Sequence, residues 1–244
     1  MAKVITDDIH YTQIANALRQ ATGGNETYQP SQMAEAVEQV RQAQWSILWD
    51  AILNGGNMTQ DTMGVFSGSY WTDENFYPKY DIVPLNGTYL FKDCRITDLR
   101  GRLEALGRRL DVSRVSNFYA AFQNSAITRL PALDMRAAAN ITQTFYGCQN
   151  LQSIQRLILS PVTTYSATFT YCRSLEELTV EGTIGKDLDL HYSTLLTHGS
   201  LLSILAALEE KTSGTFTLNL GQANLDKLTA EEKALATNKG WTLL

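Results

Sequence analysis

The chain has 244 residues, is 44% hydrophobic and 18% charged, and carries a net charge of −5 with a pI near 5.2. That apolar fraction supports a sizeable core in one large or two small domains. The acidic balance excludes the broad basic footprint of a nucleic-acid or anionic-membrane binder, and the low charge leaves a surface rich in Ser, Thr, Asn and Gln.

The N-terminus, Met1 to Asp8, lacks an apolar stretch of signal length, and no run in the chain reaches transmembrane length. The expectation is synthesis in the cytoplasm without standard secretion. The sequons at Asn25, Asn57, Asn86 and Asn140 are then read as chance. Asp7 or Asp8 can cap a helix carrying Tyr11, Ile14 and Leu18, which Gly23-Gly24 ends. Pro30 suits the first turn of a second helix striped with Met33, Val37 and Val40. Trp45 to Leu53 extends or follows it, and Asn54 to Asn57 stops it. If Met33 to Leu53 is one helix, Met33, Val37, Val40, Gln44, Leu48 and Ala51 form a heptad-like seam. That seam fits oligomerisation and packing on its own chain equally well.

Residues 66 to 90 are rich in rings and turns. Tyr70, Trp71, Phe76, Tyr77 and Tyr80 suit either an end cap over a stack of repeats or a sugar-stacking surface, and the cap is preferred because stacked repeats need shielded ends. From residue 90 a pattern returns. It runs Leu90-Phe91 to Cys94, Ile96 and Leu99, then Ala121-Phe122 to Ser125, Ile127 and Leu130. Thr144-Phe145 to Cys148, Leu151 and Ile154 follows, then Thr168-Phe169 to Cys172, Leu175 and Leu178. The phenylalanines are separated by 31, 23 and 24 residues, a leucine-rich-repeat period with an insertion near Leu103–Leu110. Each Phe is expected to close the core, with the Cys or Ser close to the backbone of the next coil. Leu157–Leu159, Leu178–Val180 and Leu188–Leu190 read as successive strands.

The end departs from this pattern. Thr197–Leu208 reads as a helix with Leu201, Leu202, Leu205 and Leu208 along one side, and residues 214–220 alternate as a strand. Thr229 and Glu232 predict a capping box, Gly240 a helix end, and Trp241–Leu244 a final strand.

Chemistry-bearing motifs are sparse. Cys94, Cys148 and Cys172 share one repeat position with Ser125, so they read as packing cysteines rather than ligands or nucleophiles. His10, His191 and His198 form no catalytic spacing, and neither HExxH, GxSxG nor a phosphate-binding glycine motif occurs. Asp73-Glu74 is a weak candidate for a glycosidase pair, since such carboxylates must face each other across a substrate. The arginines Arg100, Arg102, Arg108 and Arg109, interrupted by Glu104, read as a solvated face rather than a phosphate site.

The Phe-x-x-Cys repeats resemble the BspA-like leucine-rich repeats of bacterial and phage surface proteins. The segments Ala2 to Tyr11 and Gln29 to Val37 are similar to a module at the front of tail-associated proteins of phages and prophages of Gram-positive hosts. The segment Trp71 to Ile82 and the closing Lys239-Gly-Trp-Thr resemble the same group. The resemblance implies an α/β chain: an irregular leucine-rich-repeat solenoid behind a small all-α module. Its divisions are 1–54 for attachment or oligomerisation, 55–90 for linker and cap, and 91–244 for the repeats and closing cap. It implies a non-enzymatic virion structural protein with no cofactor or metal, most simply a tail fibre or receptor-binding protein. The implied partners are other virion proteins through the N-terminal helices and a host surface protein or glycan, with a homotrimer favoured. A head fibre or capsid decoration protein is the alternative, then a bacterial adhesin. An enzyme acting on cell-wall sugar is the reading from another class. No catalytic, metal, cofactor or ligand-binding residue is assigned.

Overall fold

In a computed structural model the chain divides into two units, Met1–Gly56 and Asn57–Leu244. The structure describes residues 64–244 except 70, 75, 79 and 161–164. The expected helices and seam before residue 54, with His10, and Tyr70 of the aromatic segment lie outside the described residues.

The described unit mixes short helices with two small parallel sheets. In chain order it has α1 (Leu99–Ala105), β1 (Arg129–Leu130), β2 (Leu133–Met135), β3 (Ser153–Leu159), β4 (Glu177–Gly182) and β5 (Leu188–Asp189). Then come α2 (His198–Ala207), β6 (Phe216–Asn219), α3 (Gln222–Leu225), α4 (Ala230–Asn238) and β7 (Trp241–Leu243). Pairing in the first sheet joins each segment to one lying a repeat further on: Arg129 with Ser153, Leu133 with Leu157, and Ser153 with Glu177. β1 and β2 both lie on β3, interrupted at Pro131, which has no N–H to give to a ladder. Leu178 and Val180 of β4 point inward and their neighbours outward, as a half-buried strand requires.

The core is organised by five phenylalanines. Phe66, Phe91, Phe122, Phe145 and Phe169 stack face on face, with successive centroids 4.9, 5.5, 5.5 and 5.1 Å apart. Each sits midway between two residues of positive φ: Gly64 and Gly68, Tyr89 and Asp93, Ala120 and Asn124, Gln143 and Gly147, Ala167 and Tyr171. Left-handed backbone costs a non-glycine residue about 1–2 kcal/mol, so something must hold it. What holds it is a ladder between rungs. The N–H of Tyr89 donates to Tyr119 O, that of Phe91 to Ala121 O and that of Asp93 to Gln123 O. The same three bonds recur from Ala120, Phe122 and Asn124, and again from Gln143, Phe145 and Gly147. The left-handed turns aim N–H groups along the stack, which satisfies donors that burial would otherwise orphan.

Residues 64–68 therefore make a fifth rung, within the 55–90 segment that the sequence assigns to linker and cap. Trp71 stands there in the place of Ile96 and Ile127. Trp71 and Phe76 pack edge-on against Phe66, while Tyr77 is exposed and lies under the Arg102 guanidinium at 4.5 Å. The aromatic segment thus splits, with its buried rings closing one end of the Phe stack.

Small polar side chains bind neighbouring rungs. Cys148 Sγ donates to Phe122 O at 2.9 Å and Cys172 Sγ to Phe145 O at 3.0 Å. The thiol thus reaches the preceding rung, not the following one as expected. A hydroxyl can fill the same place, and Ser125 Oγ lies 3.6 Å from Cys148 Sγ. Burial pushes the thiols of Cys94 and Cys148 up to about 12 and raises that of Cys172. All three should be inert to a thiol reagent such as dithionitrobenzoate in the native chain and react fully in denaturant. A fast-reacting native thiol would contradict this burial.

The second sheet corrects one expectation. Leu188–Asp189 does not follow β4 in a common sheet; it pairs in parallel with β6, which pairs with β7. The reason lies in α2, capped by Thr197. Its Ser200 and Ser203 hydroxyls accept the N–H groups of Leu178 and Val180 at 2.9 and 2.6 Å, so the helix occupies the edge of β4 where a strand would pair. Leu202 is half-buried and Ile204 is buried in its place on the inner side of α2. The predicted capping box closes α4: Glu232 N–H donates to Thr229 Oγ1 and Thr229 N–H to Glu232 Oε2. Lys239 Nζ from beyond α4 caps the Leu205 and Ala206 carbonyls of α2.

Three carboxylates sit below their usual range: Asp111 through the Ser113 hydroxyl, Asp134 through the Arg136 guanidinium, and Glu232 through the Thr229 N–H and His198. A depressed folded pKa gives stability that is present above the unfolded value and lost as pH falls through the folded one. Denaturation midpoints should therefore fall as the pH is lowered below about 4, and a midpoint that rises there would refute the assignment.

Candidate binding edge

The second left-handed position of each rung falls on one edge of the stack, because the ladder fixes Gly68, Asp93, Asn124, Gly147 and Tyr171 in register. Along the first part of this edge runs an open groove of about 650 Å³. Its walls are Ser69, Asp93, Arg95 and Asn124, with Gln149 and Asn150 exposed at its far side. Cys94 and Ser125 also line it, and the protonated, buried Cys94 thiol supplies no nucleophile at neutral pH. Asn124 Nδ2 donates to Asp93 Oδ1 at 3.3 Å, and Lys92 Nζ stands 3.9 Å from the other carboxylate oxygen. A Cβ on Gly147, whose φ is 70°, would lie 2.2 Å from Asn124 Oδ1 as that side chain stands.

Where the groove ends, rings begin. Tyr146 and Tyr171 meet edge to face at 5.5 Å, Tyr171 and Tyr192 at 4.6 Å, and the His191 ring lies 3.8 Å from Tyr192. All four are half-buried. A hydrogen bond with Tyr171 holds the Tyr192 hydroxyl above the usual phenol range. Arg173 lies 5.6 Å from the Tyr171 ring, and His191 Nδ1 is fixed by Asp189 Oδ1 at 2.6 Å. In a second pair, separate from this run, Tyr89 occupies the first left-handed position of its rung and Tyr119 directly precedes that of the next.

The residues weighed for chemistry from sequence take other parts. Asp73 accepts the Thr97 N–H at 3.0 and 3.2 Å and so ties the first rung to the second, while Glu74 is exposed. His198 pairs with Glu232 at 2.9 Å, and His191 belongs to the tyrosine run. Arg100 pairs with Glu104 and Arg109 with Asp81, at 2.9 and 3.0 Å, while Arg102 and Arg108 are half-buried. Among the described residues no group of three or more His, Cys, Asp and Glu is placed to hold a metal ion. Sequence reasoning missed this edge. Its signal was present in the residues at the second left-handed position, Gly68, Asp93, Asn124 and Gly147, types that accept such backbone most readily. No protein-family model, curated protein or solved structure matches the chain.

Proposed function

We propose that this is a non-catalytic virion protein of a phage, a tail fibre or receptor-binding protein whose leucine-rich-repeat solenoid presents one edge to the host surface. The observation that carries the binding role is the edge itself. A polar groove and a run of tyrosines lie on backbone fixed rung by rung, and a preorganised surface loses little entropy when it binds. The resemblance of the N-terminal segments to tail-associated modules supports the virion assignment. In this reading segment 1–54, for which the sequence predicts helices, attaches the chain to other virion proteins as a trimer.

The test joins two measurements on the full chain: light scattering, and adsorption of the labelled protein to a panel of Gram-positive cells. The expected results are a mass three times the 27.2 kDa chain and saturable adsorption to particular strains. A trimer that adsorbs to none of them would move the assignment to a head fibre or decoration protein. A monomer that adsorbs to none would remove the fibre reading.

A further inference from the structure

We infer that the edge carrying Tyr146, Tyr171 and Tyr192 binds an uncharged saccharide chain, with sugar faces on the tyrosine rings and hydroxyls reaching the adjoining groove. The proposal deepens the reading above and rests on it only in taking this edge as the working surface.

Three observations lead here. The Phe stack already fills the core, so the tyrosines are not needed to close it. They stand half-exposed on successive rungs. A tyrosine face is electron-rich, and the C–H bonds on one side of a pyranose present weakly positive hydrogens to it, while the phenol at the ring's tip stays wet. The edge-to-face contact of Tyr146 with Tyr171 and the tilted contact of Tyr171 with Tyr192 hold the rings in place before any ligand arrives.

The groove supplies complementary chemistry. Asn124, Gln149 and Asn150 offer amides that donate and accept, as sugar hydroxyls also do. Asp93 and Arg95 are the charged residues of its lining, one of each sign, and the whole chain is acidic. A polyanion would therefore find little net attraction. A chain ligand also suits the layout, since groove and rings continue one another along consecutive rungs.

The test is an array of immobilised dextran, mannan, galactan and chitin oligosaccharides. A polyglycerol phosphate polymer and proline-rich peptides are spotted beside them, and all are probed with the labelled full chain. Binding is expected to one or more uncharged saccharides. It should weaken by at least about tenfold in Tyr171→Ala, the loss expected for one stacking ring. Tyr192→Ala gives the same reading on a residue with ordinary backbone, in case Tyr171→Ala fails to fold. Tyr119→Ala, in the separate tyrosine pair, should bind as the parent does. Binding confined to the phosphate polymer or the peptides, or to nothing on the array, overturns the proposal. So does saccharide binding that survives in Tyr192→Ala. Cell adsorption separates the two readings. Adsorption that persists in Tyr192→Ala and after periodate treatment of the cells sinks the saccharide site and leaves receptor binding standing. Saccharide binding without cell adsorption does the reverse.

Discussion

Phe145→Ala should lower the stability of the described unit by about 3–5 kcal/mol, read from the urea midpoint at constant m-value. Phe145 is 1% exposed and lies between Phe122 and Phe169, at 5.5 and 5.1 Å. Truncation removes both ring contacts and leaves a void that its neighbours cannot collapse into. The Phe145 N–H and carbonyl hold the next rung and the Cys172 thiol, so the backbone on either side is pinned. A cost below about 1 kcal/mol would mean that the stacked rings are not the core.

Gly182→Ala is expected to cost about 2–5 kcal/mol, from left-handed strain together with overpacking. Gly182 ends β4 at φ 82°, and a Cβ there would lie 1.9 Å from Leu159 O. That carbonyl is not free to move away, because it accepts the Thr183 N–H at 3.0 Å. Gly147→Ala provides the comparison. It meets only the far end of the Asn124 side chain, which can rotate, so its cost should stay near the strain alone, about 1–2 kcal/mol. Thermal unfolding of the two variants side by side checks the order, and equal losses would show that the backbone contact at Leu159 does not decide the outcome.

The sequence carried the repeats because their chemistry is periodic. Phe91, Phe122, Phe145 and Phe169, with the Cys or Ser three residues on, mark the rungs by residue type alone. Capping at Thr229 with Glu232 was equally legible, since a cap is a local hydrogen bond between near neighbours. Phe66 escaped, although Ser69 stands three residues on, because its rung carries Trp71 where the next copies carry Ile. The place of Leu188–Asp189 escaped for another reason. Its alternation is that of a strand, but Ser200 and Ser203, more than ten residues downstream, decide which neighbour β4 accepts. The tyrosine run is long-range in the same sense. Tyr146, Tyr171 and Tyr192 are ordinary when read apart, and only the register of the ladder makes them adjacent.

The intervals between stacked phenylalanines vary, yet the ring spacing holds between 4.9 and 5.5 Å. Extra residues, such as those that form α1, are therefore taken up in the return path rather than in the stack. The edge behaves as a graduated scale whose marks do not shift when the chain between them lengthens. Such a surface can change its reach only by whole graduations, through gain or loss of a complete copy. Point changes at each mark, meanwhile, can alter what is gripped there without disturbing the spacing of the rest.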